Sequence, residues 1–264
     1  MTVAEALRSS GIDPREARLL LAAASGFSEA SVLANPERVL PFEIQNCFEL
    51  MARRRGAGEP VAYILGRKEF YGLELAVNPA VLIPRPETEL LVELALKLEF
   101  SSVADLGTGC GAIALVLKKH RPKARVVAVE ASAAALAVAQ RNAAKQALEV
   151  DFRHGRWLEA LGGERFALLV SNPPYVAADD PHLATLSFEP PSALVAGADG
   201  LDAIREIVRD APAHLEPSGW LLVEHGMGQE RAVCALLDSA GLEEVTTWPD
   251  LAGIPRVSGG KRKI

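Results

Sequence analysis

The sequence predicts an α/β protein: a doubly wound, mostly parallel sheet preceded by a small helical domain and a linking β-hairpin. Two observations predict it. From residue 102 onward, short apolar stretches typical of buried strands alternate with longer amphipathic stretches typical of helices. Before residue 66, the apolar residues instead follow helical spacing. With 264 residues, 49% of them hydrophobic, the chain is long enough for one large domain and a smaller companion.

Short helices are predicted at the start of the chain. Segment 13–16, DPRE, combines an N-cap aspartate, a proline at the first helical position and an acid in the first turn. The helix that begins there ends at Gly26. A further helical turn is predicted to begin at 35–37. A third amphipathic piece, FEIQNCFELMARRR, ends in three arginines that suit the negative end of a helix dipole.

A β-hairpin and a further helix lead into the main domain. The stretch KEFYGLELAVNP alternates apolar and polar residues at Leu73, Leu75 and Val77, which predicts a pair of strands. The next stretch, LIPRPETELLVELALKL, passes through two prolines into a helix. Its apolar face is predicted to consist of Leu90, Leu91, Leu94 and Leu98.

Strands and helices then alternate to the end of the chain. Strands are predicted at SVADL, RVVAVE, FALLV, GWLLVEHG and, as the last one, LEEVTTW. Helices are predicted at AIALVLKKH, at SAAALAVAQRNAAKQ with Ser132 as N-cap, and at QERAVCALLDSAG, closed by Gly241. Residues 178–200 form a long loop of the kind that serves a site. The basic tail 261–263 is expected to be solvated.

Composition excludes several classes of protein. A net charge of −6 argues against a general coat for nucleic acid. The three cysteines, Cys47, Cys110 and Cys234, are odd in number and far apart, which predicts neither a disulfide framework nor a metal site. The first residues lack the apolar core of a signal peptide, and no apolar run reaches membrane-spanning length. We therefore expect a cytoplasmic, reduced protein.

A glycine-rich segment joins the first strand of the main domain to its helix. In VADLGTGCGAIAL, Gly107, Gly109 and Gly111 allow positive φ angles and close approach of a ligand to the backbone. We call residues 107–111 the glycine loop. Its G-x-G-x-G spacing, preceded by Asp105, resembles the first motif of class I S-adenosylmethionine (SAM) methyltransferases more than a nicotinamide site. The next strand ends in Glu130, which can accept from ribose hydroxyls or serve only as a solvated helix cap.

The strand FALLV is followed by Ser171 and then by Asn172, Pro173, Pro174 and Tyr175, which we call the NPPY loop. The prolines end the hydrogen-bond ladder and hold the residues before them extended. The Asn172 side-chain oxygen and the Pro173 carbonyl would then be two adjacent acceptors, suited to a planar NH₂ group. Ligands bind at the carboxyl ends of strands in such sheets, so this loop is expected beside the glycine loop. Tyr175 is predicted as a flat wall or as a packing aromatic.

Nearly the whole chain resembles the release factor glutamine methyltransferases (PrmC/HemK family). The segments that carry the resemblance are RRRGAGEPVAYILGRKEFYGLELAVNPAVLIPRPETELLVE, DLGTGCGAIAL, FALLVSNPPYV and FEPPSALVAGADGLDAIREIV. The resemblance implies a class I, Rossmann-like methyltransferase domain over 81–264, a hairpin linker over 67–80, and a helical substrate-docking domain over 1–66. It also implies methyl transfer from SAM to the glutamine side-chain nitrogen in the Gly-Gly-Gln loop of class-one peptide chain release factors.

By position, the resemblance also implies roles for individual residues. Cofactor contacts are implied for Gly107, Thr108, Gly109, Cys110, Gly111, Glu130, Trp157 and Asn172. Substrate contacts are implied for Asn172, Pro173, Pro174 and Tyr175, with Asn172, Pro173 and Tyr175 as the catalytic set. Two departures stand out: the family usually has aspartate at the position of Glu130 and an acid at the position of Arg156. We therefore leave Arg156 out of the expected site.

Three other functions share some of these features. Methylation of an amino group on a nucleic-acid base would use the same NH₂ clamp but predicts a basic face, which the acidic composition disfavours. A glutamine of a ribosomal protein is a second possible acceptor. A non-catalytic binding module would lack SAM binding. We expect a protein substrate, no membrane and no direct contact with nucleic acid. Arg85 is a candidate for a substrate or cofactor contact or for a structural ion pair. Glu189 is a candidate for a contact with the substrate loop or for the cap of a turn.

Overall fold

The computed structural model describes residues 1–264, which divide into two compact units, Met1–Arg67 and Lys68–Ile264. The first unit is built from five helices. Its helices are α1 (Val3–Ser9), α2 (Pro14–Ser25), α3 (Glu29–Ala34), α4 (Phe42–Gly56) and α5 (Val61–Leu65). None of the helices in the chain is both long enough and apolar enough to cross a lipid bilayer.

Helix α2 shows how local sequence signals determine where the helices of the first unit begin and end. The Asp13 carboxylate accepts from the N–H groups of Arg15 (2.8 Å) and Glu16 (3.2 Å), and Pro14 occupies the first turn. The helix ends at Gly26, which has φ +72°. These two predictions are confirmed. Helices this short are marginal alone, so they depend on a shared core. That core includes Leu20, Leu21, Val32, Leu40 and Phe48.

The second unit begins with the predicted hairpin, formed by β1 (Arg67–Phe70) and β2 (Leu73–Ala76). Leu73, Leu75 and Val77 are all buried, as the alternation predicts. Helix α6 (Thr88–Lys97) follows. Its buried apolar face differs from the predicted one, because Leu90 is only half-buried and Leu98 lies beyond the helix end in extended backbone. The buried set is Leu91, Val92, Leu94 and Ala95.

A seven-stranded sheet forms the centre of the second unit, in the order β5-β4-β3-β6-β7-β9-β8. The strands are β3 (Ser102–Leu106), β4 (Arg125–Glu130), β5 (Asp151–His154), β6 (Phe166–Ser171), β7 (Leu215–Glu224), β8 (Leu242–Pro249) and β9 (Pro255–Arg262). The five strands from β5 to β7 are parallel, and β9 is antiparallel to both neighbours. The strand order reverses between β3 and β6, so the predicted ligand crevice lies there.

Helices follow the strands in the pattern of a doubly wound fold, which confirms the predicted fold class. They are α7 (Ala112–His120), α8 (Ala133–Gln146), α9 (Asp202–His214) and α10 (Glu230–Ser239), with short 3₁₀ helices at Trp157–Leu161, Pro181–Leu186 and Pro191–Ala193. Ser132 caps α8 as predicted, since its hydroxyl accepts from the N–H of Ala135 (3.2 Å). One hydrophobic cluster joins α9 and α10 to the sheet and includes Leu106, Val129, Phe166, Ile204 and Leu221.

The end of the chain differs from the prediction. LEEVTTW is not the last strand, because β9 enters the sheet between β7 and β8. Lys261 and Arg262 are therefore strand residues, whereas Lys263 is exposed. The pattern PRVSGGKR has no apolar alternation because its glycines replace side chains at a crowded position. A Cβ atom at Gly259 would lie 2.6 Å from the Leu222 side chain.

Candidate active site

A cavity of about 360 Å³ lies at the carboxyl ends of β3, β4 and β6, next to the reversal in strand order. Eight of the predicted site residues line it: Gly107, Thr108, Gly109, Cys110, Glu130, Trp157, Asn172 and Pro174. Its other walls include Leu82, Ile113 and the small side chains of Ala112, Ala131 and Ala135. The cavity thus combines apolar walls with a few polar groups, which is the usual character of a small-molecule site.

Three predicted residues do not line the cavity. Gly111, with φ +88°, starts α7, and a Cβ atom there would press on Leu115 (3.2 Å) and Ala139 (3.3 Å). Pro173 is buried, and the Tyr175 hydroxyl points to Glu224. Gly111 and Tyr175 therefore shape the two loops from behind rather than forming the cavity wall.

The glycine loop is held by the neighbouring strand β4 and by its own segment. The N–H groups of Gly107 and Thr108 both donate to the carbonyl of Val129, at 2.9 and 3.0 Å. Asp105 lies beneath the loop, where its Oδ2 accepts from the Thr108 hydroxyl (2.6 Å) and from the N–H of Ala114 (3.2 Å). Burial raises the pKa of Asp105 to about 7, and its Oδ1 has no partner.

Two further features of the loop bear on binding. Gly107 has φ +78°, and a Cβ atom there would lie 2.7 Å from the Trp157 ring, so only glycine lets the indole pack across the loop. The Trp157 Nε1 is buried without a hydrogen-bond partner. Burial raises the pKa of the Cys110 thiol to about 12, which keeps it neutral and unreactive. Cys110 is therefore a small wall residue, as its sequence context predicts.

Glu130 links the glycine loop to the turn before α8 at the cavity wall. Its Oε2 accepts from the N–H of Gly109 (2.9 Å), and its Oε1 accepts from the N–H of Ser132 (2.9 Å). The carboxylate is thereby fixed on the cavity wall with lone pairs to spare. Its placement combines both expectations: it caps the turn before α8, and it presents charge to the cavity.

The NPPY loop presents two oxygen acceptors. The Asn172 Nδ2 donates to the Thr88 hydroxyl at 2.9 Å, which fixes the amide plane. No protein group donates to Asn172 Oδ1 or to the Pro173 carbonyl. Sequence reasoning missed Thr88, because its partner is 84 residues away along the chain. The only local signal was its position in the segment RPETE, directly after the prolines.

Tyr175 anchors the other end of the NPPY loop. Its hydroxyl donates to Glu224 Oε1 at 3.2 Å, and burial raises the pKa of the phenol. Its carbonyl accepts from the Gln229 side chain at 3.0 Å. A Cβ atom at Gly200, which has φ +74°, would collide with this same carbonyl. Its ring packs against the hydrophobic cluster, so the placement matches the packing alternative.

Two arginines line the cavity in ion pairs. Arg85 pairs with the buried Glu189, which also accepts from the N–H of Ile83 (3.0 Å). Arg156 makes two hydrogen bonds to Glu206, at 2.8 and 2.7 Å. Arg156, which the sequence analysis left out of the expected site, forms part of the cavity wall.

Comparison with known proteins identifies the family. The PrmC N-terminal domain family matches residues 2–66, and the Methyltransferase small domain family matches residues 86–190. A release factor glutamine methyltransferase from Xylella fastidiosa is 49% identical over 257 residues, covering 95% of this chain and 94% of the relative. One from Pseudomonas aeruginosa is 50% identical over 93% of this chain and 91% of the relative. The chain belongs to the release factor glutamine methyltransferase family.

Solved structures agree with this family in fold. A methyltransferase from Pyrococcus furiosus superposes with a TM-score of 0.60 at 16% identity, covering 80% of this chain and 99% of that one. The T. thermophilus 16S rRNA N2 G1207 methyltransferase, solved with AdoMet and guanosine, gives a TM-score of 0.56 at 24% identity, covering 75% of this chain and 50% of that one. This member of the release factor glutamine methyltransferase family therefore has the fold of SAM-dependent methyltransferases.

Proposed function

We propose that this protein transfers a methyl group from SAM to the side-chain amide nitrogen of the glutamine in the Gly-Gly-Gln loop of class-one release factors. Its family membership supports the reaction and the substrate. One structural observation carries the chemistry: Asn172 Oδ1 and the Pro173 carbonyl have no protein donor, and Asn172 lines the same cavity as the glycine loop.

The cavity residues fit a nucleoside with a charged side chain. Glu130 supplies a fixed carboxylate for a pair of ribose hydroxyls. Leu82, Ile113 and Trp157 supply apolar surface for a flat base. Gly107 keeps the loop open to close approach, because any side chain there would meet the indole. When bound, SAM supplies a methyl group activated by a sulfonium.

The NPPY loop acts on the substrate amide. The Asn172 and Pro173 oxygens accept the two hydrogens of the glutamine NH₂ group and so aim its nitrogen into the cavity. Holding a nucleophile in the attack geometry is worth roughly 7–11 kcal/mol of barrier. The same two acceptors stabilise the positive charge that develops on the nitrogen. No strong base is needed, since the proton can leave after the nitrogen has been alkylated.

The helical unit is proposed as the docking domain for the release factor. Several of its large apolar side chains are exposed, including Leu33, Val39, Phe42 and Leu50. Exposed apolar groups on a small domain suit contact with a protein better than contact with nucleic acid. A cytoplasmic location and the absence of direct nucleic-acid contact are part of this proposal, and the net charge of −6 supports the latter.

The test is methyl transfer from isotope-labelled SAM to purified release factor, followed by mass spectrometry of the Gly-Gly-Gln peptide. We expect one added methyl group on the glutamine and none on a release factor whose loop glutamine is replaced by alanine. Ribosomal proteins, RNA and DNA are offered in parallel. Label in any of these, with none in the release factor, would refute the proposed substrate.

A further inference from the structure

Glu224 is a buried acid that the methyl-transfer chemistry above does not use. It ends strand β7, directly behind the NPPY loop, and only 1% of its surface is exposed. Its Oε1 accepts from the Tyr175 hydroxyl at 3.2 Å. Its Oε2 is buried without a partner at normal hydrogen-bond distance. A buried carboxylate is costly, so a position like this calls for an explanation.

The surroundings of Glu224 come from several elements. The Thr88 hydroxyl, at the start of α6, lies near enough to the carboxylate to lower its pKa. Burial raises the pKa of Glu224 to about 7; Thr88 and Tyr175 lower it, Glu87 raises it, and Arg256 lowers it. The balance leaves Glu224 able to exchange a proton near neutral pH.

The charge of Glu224 can decide which way the hydrogen bond between Thr88 and Asn172 runs. An ionised carboxylate only accepts hydrogen bonds, so it draws the Thr88 hydroxyl proton toward itself. The Thr88 oxygen then has only lone pairs for Asn172, and it receives the Asn172 Nδ2–H at 2.9 Å. That leaves Asn172 Oδ1 on the side of the cavity. A neutral Glu224 could donate instead, and the Thr88 hydroxyl could then turn its proton to Asn172 and bind the oxygen.

We infer that Glu224 is a positioning residue for methyl transfer: through Thr88 and Tyr175 it orients both ends of the NPPY loop, so that Asn172 presents its oxygen to the substrate amide. This inference rests on the proposed function of the loop. Glu224 itself touches neither substrate nor cofactor. Its effect is to select one of the two orientations of the Asn172 amide.

The test compares Glu224→Gln, Thr88→Val and Thr88→Ser with the wild type. Glutamine can donate to Thr88, and valine removes the relay; we expect either change to lower kcat about 10- to 100-fold. SAM affinity, measured by calorimetry, should change by less than about 3-fold. Thr88→Ser keeps the hydroxyl and should retain most of kcat. Glu216→Gln, on the other end of β7, is the matched control and should behave as wild type.

A pH profile separates positioning from mere packing. Wild-type kcat should rise as the pH passes through about 7, where the carboxylate forms, and this rise should be absent from Glu224→Gln. The variant should also be at least as stable as wild type at about pH 8, since it removes a buried charge. Wild-type kcat with a wild-type pH profile in Glu224→Gln would overturn the inference.

A measurement in the wild-type protein does not depend on the acceptor. The side-chain amide signals of Asn172, identified by their loss in Asn172→Ala, should titrate in NMR spectra with a midpoint near pH 7. They should not titrate in Thr88→Val. If the Asn172 amide signals of the wild type do not shift with pH, the inference is refuted even if the variants fail to fold. If the wild type methylates no release factor, the proposed function fails, yet this titration still decides the role of Glu224.

Discussion

The glycine loop and the NPPY loop are each supported from beneath by one buried carboxylate near the end of a strand. Asp105, in β3, accepts from Thr108 and from the N–H of Ala114. Glu224, in β7, accepts from Tyr175. Burial raises the pKa of both acids to about 7, and each keeps one oxygen without a partner. The two loops are therefore supported in the same way, by a buried carboxyl group near the end of a strand.

They differ in where the supporting groups come from. The partners of Asp105 lie within 9 residues along the chain, whereas Tyr175 lies 49 residues from Glu224 and Thr88 lies 84 residues from Asn172. The glycine loop is supported by its own segment and by the next strand, β4, through Val129 and Glu130, whereas the NPPY loop is supported from more distant parts of the chain. Substitutions should therefore separate two properties: cofactor affinity should follow the glycine loop, and the rate of transfer should follow the NPPY loop.

Replacing the acceptor on the NPPY loop should give the largest effect. Asn172→Ala removes one of the two oxygens that hold the substrate amide, and we expect kcat to fall by about 1000-fold or more. The fold and most of the SAM affinity should remain, as measured by circular dichroism and calorimetry. Normal turnover by this variant would refute the role of Asn172 as an acceptor for the substrate amide. A loss of SAM affinity as large as the loss of kcat would contradict the proposal that the glycine loop determines affinity and the NPPY loop determines rate.

A substitution in the glycine loop should give the opposite pattern. In Gly107→Ala the new Cβ atom would lie 2.7 Å from the Trp157 ring, and its φ of +78° is strained for alanine. We expect SAM affinity to fall about 10- to 100-fold, with kcat at saturating SAM much less affected.

The matched variant for this prediction is Gly109→Ala. Gly109 has a similar φ of +58°, but a Cβ atom there would meet nothing within 4 Å. The variant therefore carries the backbone strain without the collision, and its affinity for SAM should fall less. Equal losses in the two variants would show that the indole contact contributes nothing.

The buried acids predict how stability depends on pH. Their pKa values of about 7 in the folded chain exceed the ordinary values of 3.8 for Asp105 and 4.5 for Glu224. Folding is therefore favoured by their protonation, so this contribution is complete below about pH 4 and is lost as the pH rises through about 7. The Tm of Asp105→Asn, relative to wild type, should rise by about 4 °C or more between pH 5 and pH 8. Parallel Tm curves for the two proteins would contradict this.

The same contrast explains what the sequence could reveal. Strands β3, β4 and β6 and the two loops are contiguous patterns of apolar runs, glycines and prolines, and each was readable from its own segment. Thr88, Gln229 and Glu224 support the NPPY loop from distant elements, so no local spacing marks them. Strand β9 was missed for a related reason.

Strand β9 is stabilised by its neighbours rather than by its own composition. Gly259 and Gly260 suit a position where Leu222 and Leu242 already fill the space on either side. Helix α9, which contains Pro212, was likewise not predicted from its pattern, although Ile204 and Ile207 bury its apolar face. Such elements become visible only when the packing around them is known.

The smallest effect should come from Arg156, which lines the cavity yet pairs with Glu206. Its side chain is 55% exposed, and exposed ion pairs contribute roughly 0–1 kcal/mol. We expect Arg156→Ala to change SAM affinity by less than about 3-fold and to leave kcat unchanged. Glu206→Gln, which breaks the same pair from the other side, should behave alike in calorimetry. A loss beyond 10-fold in Arg156→Ala alone would mean that the guanidinium itself binds the cofactor, and cofactor affinity would then depend on a group outside the glycine loop.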